Sequence, residues 1–298
     1  MSHTEYAASE RIAGGYTGMS AIADWKRRVA AYRAQSHQVR SALGVADQDR
    51  WEPFSPFFKA DARRTDDSEV NRLAQEMTPT TTLLDVGGGA GRFALPLALR
   101  CKHVTIVEPS PSMGETLRHL AAEAGIENIT IVARRWEEAE VEPADVVLSA
   151  HVIYSLEDIG PFVVKLARHA RQKVCMPTFM RPPRARYASF WSRVYGEDKQ
   201  ELPGAAELMQ VLWELDIYPN LEMYAPVPVR PFKDWQRALD TLRSRLFVTP
   251  DTAHDARLQQ AMRELLIETP QGYIIKDAPP GRLGLISWRP GAMPQPQP

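Results

Sequence analysis

The stretch Thr82-Leu83-Leu84-Asp85-Val86-Gly87-Gly88-Gly89-Ala90-Gly91-Arg92 constrains this chain more than any other segment. Its apolar run reads as a buried strand ending in an acid, followed by a glycine-rich turn and a helix start. Turns of this kind present backbone N–H groups at the positive end of a helix dipole, which suits anionic or polar nucleotide-like ligands. The spacing of the glycines separates the candidates. A G-x-G-x-x-G fingerprint counted from Gly87 needs glycine or alanine at position 92, and Arg92 stands there. The pattern G-x-G-x-G is met instead by Gly87, Gly89 and Gly91, with Asp85 two residues ahead.

His103-Val104-Thr105-Ile106-Val107-Glu108 is a second apolar strand closed by an acid, 23 residues beyond Asp85. In a nucleotide-binding βαβ unit, an acid about 20 residues past the glycine loop lies over the ribose and accepts hydrogen bonds from it. Its charge also repels a 2′-phosphate. Taken singly, Glu108 reads equally well as an ordinary strand-end acid, and Asp85 as a loop cap. In this order and at this spacing, the two together point to a nucleotide-type site.

Residues 79–176 resemble the core of a class I (Rossmann-like) S-adenosylmethionine-dependent methyltransferase. The resemblance is carried by the loop from Asp85 to Gly91, by Glu108, and by Ala144-Asp145-Val146-Val147-Leu148-Ser149-Ala150-His151, which is similar to the family's fourth-strand motif. It implies S-adenosyl-L-methionine as cofactor and a set of roles. Gly87, Gly89 and Gly91 would allow close backbone approach to the donor, and Asp85 would contact or orient its amino-acid end. Glu108, with Pro109 beside it, would bind the ribose, and Ala150 and His151 would lie beside the methionine end. One departure stands out. After a third strand, Ile129-Thr130-Ile131-Val132, the family commonly places an acid for the adenine amino group, whereas this chain has Arg134-Arg135-Trp136. The adenine contact would then fall to Trp136 stacking, to backbone, or to Glu137. Uncharacterised bacterial methyltransferases of small-molecule type look similar here.

The expected fold is α/β: a Rossmann-like, doubly wound, mostly parallel seven-stranded sheet whose last strand is antiparallel, with an N-terminal helical cap and helical insertions. Residues 1–78 read as the cap, with Trp25, Val29 and Tyr32 on one helical face and an aromatic cluster from Trp51 to Phe58. That cluster reads either as a cover for donor and acceptor or as core that docks the extension on the sheet. Residues 79–290 read as the core, with helical insertions at about 181–217 and 231–268 around a sixth strand near Asn220 to Tyr224. A final hairpin is expected from Gly272 to Ile275 and Leu283 to Trp288, and 291–298 reads as a disordered tail. Ser110-Pro111 and Gly125 frame a helix, and Pro96 is expected to bend or shorten the helix that Gly91 starts.

Net charge is −1 over 298 residues, so no general pull toward nucleic acid or membrane is implied. Cys101 and Cys175 read as two reduced, buried thiols, and no metal site is expected. No apolar run is long enough to span a bilayer, and the chain reads as cytoplasmic. The oligomeric state is not legible.

Methyl transfer from a sulfonium is an in-line displacement that needs orientation and a dry pocket more than covalent help. A hydroxyl or amine acceptor also calls for a base. His151, just past the fourth strand at the carboxyl edge of the sheet, is the leading candidate, read equally as a donor-contacting histidine, and Tyr154 is a weaker acceptor-side candidate. Arg181, Arg184 and Arg186, with Tyr187, Phe190 and Trp191, read either as an acceptor anion site or as a solvated helix start. Small-molecule methyl transfer is the leading function. A non-catalytic donor-binding sensor or partner protein is the alternative. A nucleic-acid methyltransferase ranks lower, since Ser149-Ala150-His151-Val152 replaces the Asn/Asp-Pro-Pro-Tyr/Phe motif of base-amine enzymes. An NAD-dependent oxidoreductase ranks last on the glycine spacing.

Overall fold

A computed structural model of the chain describes residues 20–42 and 61–291. The strands in chain order are β1 (Thr82–Val86), β2 (His103–Val107), β3 (Ile129–Val132), β4 (Ala144–Leu148), β5 (Ala170–Phe179), β6 (Asn220–Met223), β7 (Leu266–Thr269), β8 (Gly272–Ile275) and β9 (Leu283–Trp288). Seven of them form one sheet in the order β3-β2-β1-β4-β5-β9-β6. The first five pair in parallel, and β9 runs antiparallel between β5 and β6. This is a Rossmann-like sheet with an inverted strand near one edge.

The central strands are apolar on consecutive positions because helices cover both faces. Leu84, Val86, Val147, Val174 and Met176 face one layer, while Leu83, Val104, Ile106, Val146 and Leu148 face the other. On the first face lie α1 (Ala21–Ala42), α5 (Ile159–His169) and α7 (Ala205–Glu214), contributing Trp25, Phe162 and Leu208. On the second lie α2 (Ser68–Leu73), α3 (Ala94–Ala98) and α4 (Pro111–Ala124), contributing Leu73, Leu97 and Leu117. Each fully buried leucine contributes about 2 kcal/mol by removal from water. Truncating Leu84 to alanine would cost about 2–5 kcal/mol, because the packed neighbours cannot fill the hole.

Local chemistry sets the helix ends. Ser110 Oγ accepts the Met113 N–H, Pro111 fills the first helical position, and Gly125 ends α4 in the left-handed conformation at φ 64°. Helix α3 is only five residues long, as Pro96 led us to expect, and the proline sits in its first turn, where its missing N–H has no intrahelical partner to lose. A satellite core joins α6 (Ala188–Tyr195), α8 (Trp235–Leu246) and α9 (Ala253–Leu265) through Phe190, Trp191, Leu242 and Met262.

The expected final hairpin is corrected. Strand β8 pairs with β7 in a separate ribbon, and β9 joins the main sheet alone. Burial explains the split: all six residues of β9 are buried, which requires a place inside the sheet, whereas β7 and β8 are mostly part-exposed and pair locally. The fifth strand runs from Ala170 to Phe179. The expected Trp51–Phe58 cluster, and all but the first residue of the expected 291–298 tail, lie outside the described residues.

Helix α1 is held to the sheet through Trp25 and Val29, both wholly buried, and the Trp25 indole N–H donates to Leu156 O at 2.7 Å. Ion pairs fasten its rim, with Lys26 to Asp158 at 2.8 Å and Arg28 to Glu207 at 3.2 Å. Among the described residues, no helix is long and apolar enough to cross a membrane.

Candidate active site

The loop between β1 and α3 turns tightly over the carboxyl end of the sheet. Gly87 and Gly91 have φ of +75° and +84°, a region that favours glycine. A Cβ at Gly87 would lie 2.5 Å from Val152 Cγ2, and one at Gly91 would lie 2.4 Å from Leu117 Cδ1. The loop is thus pressed against the segment after β4 on one side and against α4 on the other. At Gly89 a Cβ would meet nothing within 4 Å, so the backbone there faces open space.

Two carboxylates stand under this loop. Glu108, at the end of β2, accepts the Gly89 N–H on Oε2 and the Ser110 N–H on Oε1, each at 2.8 Å. Those bonds fix its carboxylate at the rim of the loop. Asp85 is 1% exposed, and its Oδ2 has no hydrogen-bond partner among the described residues. Burial, with the nearby charge of Glu108 adding to it, pushes the Asp85 carboxyl up to about 7. A buried acceptor without a donor is costly, and a ligand ammonium or an ordered water would satisfy it. Open backbone at Gly89, the fixed Glu108 carboxylate and the unsatisfied Asp85 oxygen together fit S-adenosylmethionine, with its ribose hydroxyls and charged amino-acid end.

Beside the loop, the segment after β4 carries His151 at φ 60°, unusual for a residue with a side chain. Its N–H donates to Pro177 O at 3.0 Å, so β5 holds the backbone in place. Nε2 lies 2.8 Å from Glu69 Oε2 and Nδ1 lies 3.4 Å from the Tyr154 hydroxyl. The rings of Phe93 and Phe179 flank the imidazole at 6.0 and 5.1 Å. Tyr154 in turn accepts the Phe179 N–H at 2.8 Å, and burial pushes its hydroxyl well above the ordinary tyrosine range. His151 and Tyr154, both expected from sequence, are therefore brought together.

Glu69 was not foreseen. It lies in the first turn of α2, is 7% exposed, and also accepts from Arg92 Nη2 at 2.6 Å. Arg92 reaches Asp67 at 3.1 Å, and Arg64 reaches the same Asp67 oxygen at 2.9 Å. Burial alone would raise the Glu69 carboxyl, but the His151 hydrogen bond and the Arg92 charge outweigh it and hold the group below its ordinary value. With Glu69 ionised, Nε2 of His151 is the ring nitrogen placed to donate to it, and Nδ1 faces the Tyr154 hydroxyl. Arg92, whose side chain excludes a dinucleotide fingerprint in the sequence, here neutralises the acid behind the histidine. The only sequence signal for Glu69 is the helix start Asp67-Ser68-Glu69, where Asp67 caps the Glu69 and Val70 N–H groups.

Other expected contacts fall differently. Pro109 is exposed between Glu108 and the α4 cap, and Ala150 is partly buried ahead of His151. Trp136 is 4% exposed and packs into the core against α5. Its N–H reaches Phe162 O at 3.5 Å, Lys165 Nζ sits 4.6 Å from its ring, and His169 meets it edge-on at 5.0 Å. The ring is committed to the core and is not placed to stack on adenine, which leaves backbone and the exposed Glu137 for that end.

The sheet order, with the G-x-G-x-G loop and the strand-end acids at its carboxyl edge, is that of a Rossmann-like methyltransferase fold. Residues 83–173 match the family described as "Methyltransferase domain". The chain is 30% identical over 151 residues to a 23S ribosomal RNA (uracil-C5) methyltransferase of Klebsiella pneumoniae, covering 49% of this chain and 32% of that protein. It is 29% identical over 106 residues to the ubiquinone biosynthesis O-methyltransferase of Rickettsia conorii, covering 35% and 36%. The match thus spans about a third of each of these relatives. Among solved structures, a putative methyltransferase of Bacillus halodurans superposes with a TM-score of 0.54 at 13% identity, covering 76% of this chain and all of that one.

Proposed function

We propose that this chain transfers a methyl group from S-adenosylmethionine to a small-molecule acceptor, with His151 as general base. The observation that carries the transfer reading is the Glu108 carboxylate hydrogen-bonded to Gly89 N–H at the mouth of a G-x-G-x-G loop with open backbone. That arrangement suits a ribose above the loop and a sulfonium beyond it. When bound, the donor supplies an activated methyl carbon: the acceptor–carbon bond forms while the carbon–sulfur bond breaks, and its electron pair stays on sulfur.

The protein's own groups then have defined tasks. Asp85 holds the ammonium of the amino-acid end, directly or through water. Glu108 holds the ribose hydroxyls. His151 Nδ1 takes the acceptor's proton, and Glu69 fixes the imidazole and balances the charge that forms on it. Phe93 and Phe179 exclude water from that ring. The small-molecule assignment draws support from the net charge of −1, which offers no general attraction to a phosphate backbone. The ribosomal RNA enzymes among the relatives make an RNA acceptor the competing reading. Assay of methyl transfer from radiolabelled donor to small carboxylic acids, phenols and amines, with total RNA alongside, decides between them. Labelling of RNA alone would overturn the small-molecule assignment.

A further inference from the structure

Arg92 ends the glycine loop and opens an ion network. Its backbone follows Gly91 directly, and its carbonyl accepts from Arg64 Nη2 at 2.7 Å. Its guanidinium bridges two carboxylates, with Nη2 2.6 Å from Glu69 Oε1 and 3.1 Å from Asp67 Oδ2. Arg64 closes the far side of Asp67, donating to the same Oδ2 from Nη2 at 2.9 Å and from Nε at 3.2 Å. The other oxygen of Glu69, Oε2, lies 2.8 Å from His151 Nε2. One buried acid is thus shared between an imidazole and a guanidinium, and the guanidinium belongs to the loop that faces the donor.

Charge decides what this sharing does. Arg64 and Arg92 match Asp67 and Glu69, two cations against two anions, before the imidazole is counted. A buried carboxylate facing a histidine alone favours the imidazolium, the form that cannot take up a proton. A guanidinium on the opposite side of that carboxylate offsets the pull, and arginine keeps its charge at any working pH. Burial works against the Arg92 charge, but Glu69 and Asp67 outweigh it and raise the guanidinium above its ordinary value. The other groups beside the pair supply no substitute for that charge. Tyr154, next to the ring, and Tyr224, which senses Glu69, are both raised by burial and by the Glu69 charge and remain neutral hydroxyls. Phe93 and Phe179, the rings flanking the imidazole, are apolar.

We propose that Arg92 is a positioning residue for methyl transfer that acts through Glu69: it offsets the charge behind His151, so that the ring meets the acceptor uncharged while Glu69 still fixes its orientation. The proposal rests on the reading of His151 as general base. It places the end of the donor loop and the base in one ion network, with Arg92 touching neither donor nor acceptor.

The test is a pH titration of the imidazole nitrogen signals by NMR in the full chain, with His151→Gln identifying the His151 signals among the seven histidines. Arg92→Met and Glu69→Gln are compared with wild type, with Arg92→Lys as the conservative variant and Arg92→Gln replacing Arg92→Met should the latter not fold. Cooperative urea unfolding reports that each chain is folded. Loss of the Arg92 charge should move the second protonation of the ring upward by roughly one pH unit. Glu69→Gln should move it downward, and Arg92→Lys should restore most of the wild-type position. The opposite signs separate an offsetting charge from a brace: if Arg92 only held Glu69 in place, its loss would loosen the acid from the ring and shift the titration in the Glu69→Gln direction. A downward shift or none in Arg92→Met, or Arg92→Lys titrating like Arg92→Met, would overturn the proposal. Turnover retained by His151→Gln in the radiolabelled-donor assay would instead overturn the base reading and leave the titration shifts standing.

Discussion

Glu69 and His151 are 82 residues apart in the chain and 2.8 Å apart in the fold, a carboxylate behind an imidazole with Arg92 closing the far side of the acid. The pair joins α2 to the segment after β4, directly beside the glycine loop. Replacing His151 by alanine or glutamine is expected to lower turnover on a true acceptor by a factor on the order of 10²–10⁴, the usual contribution of a positioned base. Near-normal turnover in both variants would remove the base role.

Glu69 acts through His151, so its substitution separates positioning from binding. Glu69→Gln keeps a hydrogen-bond acceptor but loses the charge, and we expect kcat to fall roughly 10- to 100-fold with donor affinity unchanged. Donor Kd measured by calorimetry, beside steady-state kcat, checks this. A loss confined to donor affinity would assign Glu69 to the binding of S-adenosylmethionine.

Asp85 gives the chain a pH dependence whose sign is fixed by its burial. Its folded-state carboxyl is raised from 3.8 to about 7, so the folded protein holds a proton that the unfolded chain releases. Its contribution to stability is fully present below about 4 and is lost as pH rises through 7, at up to roughly 1.4 kcal/mol per pH unit. Asp85→Asn is therefore expected to gain stability relative to wild type between pH 5 and pH 8 in urea titrations. Donor affinity should run the other way, since an ammonium needs the ionised acid. Wild type should bind S-adenosylhomocysteine more tightly at pH 8 than at pH 6, and Asp85→Asn should bind weakly and without that slope.

Gly91 joins backbone strain to a close approach. An alanine there would have to hold φ +84° and displace Leu117 and Leu95, whose side-chain atoms lie 2.4 and 2.8 Å from the added carbon. Gly91→Ala should cost about 1–3 kcal/mol in urea unfolding and weaken donor binding, because the loop must shift. Unchanged stability would mean that the loop is not packed as described.

Trp25 tests the docking of α1. It is wholly buried, and Trp25→Ala should cost about 3–5 kcal/mol from the cavity and leave Leu156 O without its donor. A loss below about 1 kcal/mol would show that the helix is not anchored on the sheet.

The parts of this molecule legible in the sequence are those set by short-range patterns. Asp85, the three glycines and Glu108 occupy one βαβ unit, where strand, turn and helix signals lie within a few residues of one another. The α4 boundaries were readable from Ser110, Pro111 and Gly125 for the same reason. Glu69 was not readable, because nothing in its helix start says which strand end it will face. Trp136 was misleading: its position after β3 suggested a ligand contact, but its size and apolar surface were claimed by α5 through Phe162 and Lys165. The β7–β8 pairing was missed because two adjacent runs of similar character can pair with each other or enter the main sheet. Only the complete burial of Leu283–Trp288 decides between those outcomes.

The central claim is that the glycine loop and Glu108 bind the methyl donor. Calorimetric titration of S-adenosylmethionine and S-adenosylhomocysteine against wild type and Glu108→Ala, with NAD as control, tests it most directly. We expect both sulfur ligands to bind wild type, to bind the variant at least tenfold more weakly, and NAD to bind neither. Failure of both sulfur ligands to bind folded wild-type protein would contradict the account.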